Sequence, residues 1–208
     1  MIPSESLLVF FFTSILLCVA PGPDNLFVLT QSAMYGRRSG MLVTLGLCTG
    51  LLFHTCAVAL GIAVIFQTSE QAFFLLKMIG AMYLLYLAWQ AFRASVVSIE
   101  DGVSSTLTQA ALYRRGIFMN VTNPKVSVFF LAFLPQFASP ENGALVPQFL
   151  LLGAIFIVAT LIVFGSIAIA AGTVGSWLGK SARAQRMLNQ VSALVLVALA
   201  MKLLSTRA

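Results

Sequence analysis

Apolar stretches separated by short polar turns follow one another along this chain. Each is close to the roughly 20 residues that an α-helix needs to cross a bilayer. Six such segments cover positions 6–35, 40–66, 73–92, 116–137, 144–172 and 188–204. The polar stretch 94–113 is the longest loop in this pattern, and it separates the segments into two groups of three. The pattern predicts an all-α membrane protein with six transmembrane helices.

Proline interrupts the first and the fourth of these segments. Pro21, Gly22 and Pro23 break the first segment, and Pro124 breaks the fourth. Proline cannot donate a backbone hydrogen bond, so such a break is tolerated in a membrane only where the loosened backbone lines a protected cavity. Breaks at corresponding places in two halves of a chain point to the substrate site of a transporter. We therefore predict broken first and fourth helices that form a binding site.

Composition supports this class of protein. The chain is 60% hydrophobic and 9% charged, whereas soluble domains are about 25% charged. Six helices leave only short loops, so we expect one transmembrane transporter domain over residues 1–208. The net charge of +6 is better explained by basic cytoplasmic loops than by nucleic-acid binding. The sequence contains neither a phosphate-binding loop nor a pattern of metal ligands, so we expect no cofactor, no metal and no enzymatic activity.

Basic residues alternate between consecutive loops. The loops after the first, third and fifth segments contain Lys and Arg, whereas those after the second and fourth contain none. The basic residues are Arg37, Arg38, Arg93, Arg114, Arg115, Lys180, Arg183 and Arg186. Cytoplasmic loops are enriched in Lys and Arg, so we predict that these three loops are cytoplasmic and that both termini lie outside. Lys202 and Arg207 are exceptions that can extend to the outer interface.

The segment count predicts two related halves. Three segments in each half would place the second copy upside down in the membrane, which is the inverted-repeat plan of many transporters. The first repeat would cover about 1–93, the loop 94–113 and the second repeat about 114–208. Aligning Pro23 with Pro124 places Asp24 opposite Lys125.

Asp24 and Lys125 are the leading candidates for chemistry. A carboxylate at membrane depth is costly, so it should face the protein interior and find a partner there. Asp24 would bind a substrate ammonium or carry a coupling proton; alternatively, it caps the helix after the break. Lys125 would bind a substrate carboxylate, form an ion pair with Asp24, or extend to the membrane surface if the break lies near it.

Other polar residues near the breaks extend this candidate site. The amides of Asn25 and Asn123 would contact substrate or satisfy freed backbone groups. Gln31, on the helix after the first break, would line a polar path or form hydrogen bonds across helices. His54 is the sole histidine and would relay protons or make an internal hydrogen bond. Gly46 and Gly50 have the spacing of small residues that let membrane helices approach closely.

The motifs resemble those of the LysE/RhtB family of bacterial amino-acid exporters. They occur in order over most of the chain, and the pair of proline motifs followed by Phe133-Leu134-Pro135-Gln136-Phe137 is the most specific part. The other motifs are Ala20-Pro21-Gly22-Pro23-Asp24-Asn25, Gly36-Arg37-Arg38-Ser39-Gly40, Gly46-Leu47-Cys48-Thr49-Gly50 with His54, Gly80-Ala81-Met82-Tyr83-Leu84-Leu85-Tyr86-Leu87 and Asn120-Val121-Thr122-Asn123-Pro124-Lys125.

The resemblance implies an exporter in the bacterial inner membrane that is driven by the proton-motive force. It also implies a transport core, which would consist of Pro21, Gly22, Pro23, Asp24, Asn123, Pro124 and Lys125. Family members export threonine, homoserine or homoserine lactone, leucine, cysteine or basic amino acids. The scarcity of ionisable residues at membrane depth favours a small neutral amino acid as substrate. A homodimer is compatible with a bundle of this size.

Three alternatives remain open at this point. The chain could export basic amino acids, or it could be a passive channel. It could also be a membrane thiol-redox carrier, because Cys18 lies near the first break. Such a carrier is expected to have a cysteine beside the break in each half, and the second half of this chain has none.

Overall fold

The computed structural model describes residues 2–62, 70–94, 107–180 and 182–205. Regular structure within these ranges is helical throughout, which confirms the predicted all-α class. We number the helices α1 (Ser4–Val19), α2 (Pro23–Tyr35), α3 (Arg37–Ala57), α4 (Glu70–Arg93), α5 (Gln109–Val121), α6 (Pro124–Val128), α7 (Leu145–Lys180) and α8 (Ala182–Ser205). π-helical turns continue α3 over Val58–Ile62 and α6 over Phe129–Phe133, and 3₁₀ turns follow over Leu134–Phe137 and Pro140–Asn142.

Four helical stretches are long and apolar enough to cross a membrane unaided. They are Arg37–Gly61, Phe74–Arg93, Leu145–Ala171 and Gln185–Ser205. Two further pairs of helices are bent: α1 and α2 meet at 65°, and α5 meets the stretch Pro124–Phe137 at 48°. If each bent pair is one span, the described residues contain up to six spans. Both bends lie where the sequence predicts the breaks.

Two predicted loops are wrong in their extent. The sequence predicts a loop over 94–113, but α5 already begins at Gln109, where the Thr108 hydroxyl accepts a hydrogen bond from the Ala111 N–H; positions 95–106 lie outside the described residues. The sequence also predicts a loop over 173–187, but α7 continues to Lys180 and α8 begins at Ala182. Lys, Arg and Gln are good helix formers, so the end of an apolar run marks the end of a membrane span and not of the helix.

A cluster of phenylalanines anchors the stretch after the second break. The ring of Phe129 lies 5.8 Å from that of Phe10, 4.9 Å from that of Phe133 and 5.1 Å from that of Phe156, measured between ring centres. All four side chains are buried. Burial of each one contributes about 1.5–3 kcal/mol. These contacts hold the π-helical turn after α6 against both α1 and α7.

Glycines bring α3 and α5 into backbone contact, as the spacing of Gly46 and Gly50 predicts. A Cβ atom added to Gly46 would overlap the Tyr113 carbonyl oxygen and lie 3.0 Å from the Gly116 Cα. A Cβ atom added to Gly116 would likewise overlap the Val43 carbonyl oxygen. Small residues permit such close helix crossings in membranes. The α3–α5 contact is thus a packing interface that a single methyl group would disturb.

We expect the Gly46→Ala substitution to destabilise the protein by about 1–3 kcal/mol, which is typical of overpacking in a rigid contact. Thermal unfolding in detergent measures this change. Gly165→Ala is a matched control within α7, because the nearest atom to an added Cβ is the Met41 sulfur at 4.0 Å. Equal stability of Gly46→Ala and Gly165→Ala would contradict the described α3–α5 contact.

Candidate functional site

The first break removes a hydrogen bond from the end of α1, and a lysine from the other half replaces it. Pro21 has no N–H to donate to the Leu17 carbonyl four residues earlier. The Nζ of Lys125 instead donates to the Leu17 carbonyl at 3.2 Å and to the Ala20 carbonyl at 2.8 Å. The carbonyl end of a helix favours a cation. Lys125, from the second half of the chain, therefore caps the C-terminal end of α1 in the first half.

Gly22 and Asn25 complete the first break. The Asn25 side-chain amide donates to the Cys18 carbonyl at 2.7 Å, so this amide satisfies freed backbone, one of its two predicted roles. A Cβ atom added to Gly22 would lie 3.3 Å from Nζ of Lys125. That separation is tight for a non-bonded contact, so the lack of a side chain at Gly22 lets the lysine reach the end of α1.

The second break is satisfied in a parallel way. Pro124 cannot donate to the Asn120 carbonyl. That carbonyl accepts a hydrogen bond from the Asn123 N–H at 3.0 Å and lies 3.2 Å from Nε2 of His54. The Asn123 side-chain oxygen accepts from the Lys125 N–H at 3.0 Å and so caps α6. The freed backbone at this break is again paired, partly by a side chain from the other half.

Asn123 also connects the two breaks directly. Its side-chain nitrogen donates to Oδ2 of Asp24 at 2.6 Å. Asp24, Asn123 and Lys125 are 3%, 4% and 8% exposed, respectively. One acid, one amide and one ammonium therefore share a buried centre between the two proline breaks, which brings together the residues that the sequence singles out there.

Two predicted alternatives for Asp24 are wrong. No hydrogen bond or ion pair joins Asp24 to Lys125, both of which the structure describes, because Asn123 binds the carboxylate and two α1 carbonyls hold the ammonium. Asp24 is also not the N-cap of α2: the helix begins at Pro23, Gly22 occupies the cap position, and no side chain accepts a capping hydrogen bond there. The carboxylate lies inside the first turn of the helix.

Four buried side-chain oxygens on α2 and α5 accept no hydrogen bond within the described part of the chain. Within the described residues, the buried side-chain atoms that lack a hydrogen-bond partner are Oδ1 of Asp24, Oδ1 of Asn25, Oε1 of Gln31 and Oδ1 of Asn120. Buried polar atoms are normally paired, so each of these oxygens requires an explanation. All four are acceptors, and a carboxylate oxygen is one of them. The two on adjacent residues, Asp24 and Asn25, can accept from a group rich in N–H donors, such as an ammonium.

Gln31 and His54 occupy different positions relative to this centre. Gln31 is buried on α2, seven residues after Asp24, and helical periodicity places the two side chains on the same face. Its free oxygen fits the predicted polar path. His54 instead contacts the Asn120 carbonyl and packs beside the Phe130 ring, 5.5 Å away between ring centres. This contact is the internal hydrogen bond that was one of its two predicted roles.

The thiols form neither a disulfide nor a metal site in the described part of the chain. All three cysteines are free, and the described residues include no cluster of three potential metal ligands. The Cys18 sulfur lies 3.5 Å from the Thr160 hydroxyl oxygen. A thiol-redox carrier would require a second cysteine at the other break. A Cys18→Ser variant with unchanged function would exclude that reading.

Asn120 is a further residue of this site, for which the sequence pattern predicts no role. Asn120 is buried, its carbonyl accepts from Asn123 and faces His54, and its side chain packs against Gly50. Its position four residues before Pro124 is a usable signal, because a proline always frees the carbonyl at that spacing.

The chain matches a known family over most of its length. A family model described as LysE type translocator matches residues 15–207. No solved structure matches the chain significantly.

Curated relatives cover nearly the whole chain. A homoserine/homoserine lactone efflux protein of Salmonella typhimurium is 35% identical over 87% of both chains. An uncharacterized membrane protein of Vibrio cholerae is 34% identical over 90% of this chain and 89% of the relative. A leucine efflux protein of Salmonella choleraesuis is 25% identical over 91% of this chain and 90% of the relative.

Proposed function

Because this chain belongs to the LysE type translocator family, we propose that it exports small neutral amino acids or their derivatives across the bacterial inner membrane. The proposed substrates are threonine, homoserine, homoserine lactone or another neutral amino acid, and the proposed driving force is the proton-motive force. Membership in the family confirms the predicted class, a multi-pass membrane transporter and not an enzyme.

The main support for this proposal is a pair of oxygens beside the first break that accept no hydrogen bond within the described residues. Oδ1 of Asp24 and Oδ1 of Asn25 are buried acceptors on adjacent residues. A substrate ammonium offers three N–H donors and a compensating positive charge. Hydrogen bonds to charged groups are worth about 1.5–3 kcal/mol, more than neutral ones. We therefore assign the ammonium of the substrate to Asp24 and Asn25.

Lys125 is the proposed partner of the substrate carboxylate. An ammonium has three N–H donors, and two of those on Lys125 bind the Leu17 and Ala20 carbonyls. The third makes no hydrogen bond within the described residues, so it can donate to a substrate carboxylate while the other two still bind α1. Asn123 sits between Lys125 and Asp24 and would keep the two ends of the substrate apart.

The names of the relatives favour ammonium recognition as the shared requirement. Homoserine and leucine carry both an ammonium and a carboxylate, whereas homoserine lactone carries an amine and no carboxylate. A site that serves this range must hold the nitrogen in every case. Asp24 is the only buried carboxylate among the side chains that the structure describes. A basic amino acid would need a second acid for its side chain, so we place export of basic amino acids second.

The arrangement in the membrane is also part of the proposal. Two bent spans, each with its freed carbonyl bound by a side chain from the other half, support the inverted repeats of about 1–93 and 114–208. Arg37 and Arg38 at the start of α3, Arg93 at the end of α4 and Arg183 and Arg186 in the first turns of α8 support cytoplasmic placement of those helix ends. We place both termini outside, treat residues 1–208 as one transport domain, and propose a homodimer as the assembly.

Asp24 is the proposed proton carrier as well as the ammonium ligand. A carboxylate that binds a proton in one state and a substrate ammonium in the other exchanges two positive charges at one site. Export of the amino acid would then be coupled to proton entry.

Efflux from cells loaded with labelled amino acids tests this function. We expect at least one neutral amino acid or derivative to leave faster from expressing cells than from controls, and an uncoupler to abolish the difference. Efflux that follows the substrate gradient and ignores the uncoupler would indicate a passive channel. Absence of efflux for every amino acid and derivative in the panel would overturn the proposal.

A further inference from the structure

The Asn120 carbonyl is the acceptor that Pro124 leaves without its helical donor. In an unbroken helix, the N–H at position 124 would donate to the carbonyl at position 120, and proline has none. Nε2 of His54 lies 3.2 Å from that oxygen. A carbonyl oxygen can only accept, so the contact requires the proton on Nε2. His54 thus supplies a second hydrogen bond to this oxygen, beside the one from the Asn123 N–H.

His54 lies on the face of α3 that packs against α5, next to this carbonyl. Gly46, Gly50 and His54 follow one another at intervals of four residues and therefore share one face of the helix. Gly46 contacts Gly116, and a Cβ atom at Gly50 would lie 2.7–3.0 Å from side-chain atoms of Asn120. The two glycines allow α3 to approach α5 closely enough for the imidazole one turn later to reach the backbone.

Two hydrogen bonds connect the Asn120 carbonyl to Asp24 in the candidate site. It accepts the Asn123 N–H at 3.0 Å, and the Asn123 side chain binds Asp24 at 2.6 Å. Resting on the function proposed above, we infer that His54 is a positioning residue for export: it holds the Asn120–Asn123 turn, and thereby the amide that orients the Asp24 carboxylate. It acts as a fixed donor and not as a proton relay.

The first break has the mirror arrangement. There, Pro21 frees the Leu17 carbonyl, and Lys125 of the second half binds it at 3.2 Å. At the second break, Pro124 frees the Asn120 carbonyl, and His54 of the first half faces it. Each half therefore supplies the donor for the break in the other half. Loss of the Lys125 donor would loosen the first break, which lies next to Asp24. Loss of the His54 donor would loosen the second break, which contains Asn123, the partner of Asp24.

Two substitutions separate a fixed donor from a relay. His54→Gln keeps an N–H donor at a similar reach but cannot take up a proton, whereas His54→Leu keeps the volume and removes the donor. We expect His54→Gln to retain at least about half of wild-type efflux, and His54→Leu to lose about tenfold, consistent with loss of a buried hydrogen bond. Equal loss in both variants would overturn the inference, because a relay fails in both.

A second readout needs neither transport nor a variant. His54 is the sole histidine of the chain, so protein labelled with ¹⁵N-histidine and purified with a histidine-free tag gives imidazole signals from this residue alone. We expect a protonated Nε2. An unprotonated Nε2 would overturn the inference even if export is demonstrated. If wild-type cells export nothing, the proposed function fails, while the nitrogen signal still decides whether the His54 bond exists.

Discussion

Replacing Asp24 with asparagine is expected to reduce amino-acid efflux by about one to two orders of magnitude, the value of a hydrogen bond to a charged group. The substitution keeps the shape of the side chain, and the new amide oxygen can still accept from Asn123. What it removes is the negative charge, which on our proposal binds the substrate ammonium and carries the coupling proton.

Expression level and elution from a sizing column in detergent show whether the Asp24→Asn protein is assembled. Glu5→Gln makes the same change in charge on an exposed residue of α1 and should export normally. Wild-type efflux from a well-assembled Asp24→Asn protein would remove Asp24 from the transport site.

The second large effect is expected at Lys125. Lys125→Met removes the donors to the Leu17 and Ala20 carbonyls and leaves the charge of Asp24 without a nearby cation. Leaving a buried acceptor without its donor typically costs about 1–3 kcal/mol. We therefore expect a lower unfolding temperature, and a loss of efflux of more than about tenfold because α1 is no longer held.

A double variant isolates the electrostatic part of this effect. If the two charges stabilise each other at a distance, Lys125→Met combined with Asp24→Asn should be more stable than the sum of the single changes allows, by about 0.5–3 kcal/mol. Arg38→Met, at an exposed position at the start of α3, controls for loss of a cation at the surface. Strict additivity would mean that Asp24 and Lys125 act independently.

The breaks and the membrane class could be read from the sequence, because proline and apolar length have direct physical consequences in a bilayer. Pro21 and Pro124 indicate which carbonyls are freed, and both bends occur where they predict. The helix ends were less predictable. Gln109 and Lys180 lie outside apolar runs but within helices, since a helix can continue into water after its membrane span ends.

The pairing within the site could not be read from the sequence. Alignment of the two halves predicts that Asp24 faces Lys125, but Asn123 binds the carboxylate and α1 carbonyls bind the ammonium. The bend angles of 65° and 48° and the α3–α5 contact decide which donor reaches which carbonyl. Those quantities depend on packing between residues about one hundred positions apart, which local patterns do not encode.

Ligand binding by the purified protein tests the proposed site most directly. The exported amino acid and its deaminated analogue, in which a hydroxyl replaces the ammonium, can be compared in wild-type and Asp24→Asn protein by calorimetry. We expect wild type to bind the amino acid at least about tenfold more tightly than the analogue, and Asp24→Asn to reduce that ratio to about one. An unchanged ratio in Asp24→Asn would show that the substrate ammonium is bound elsewhere.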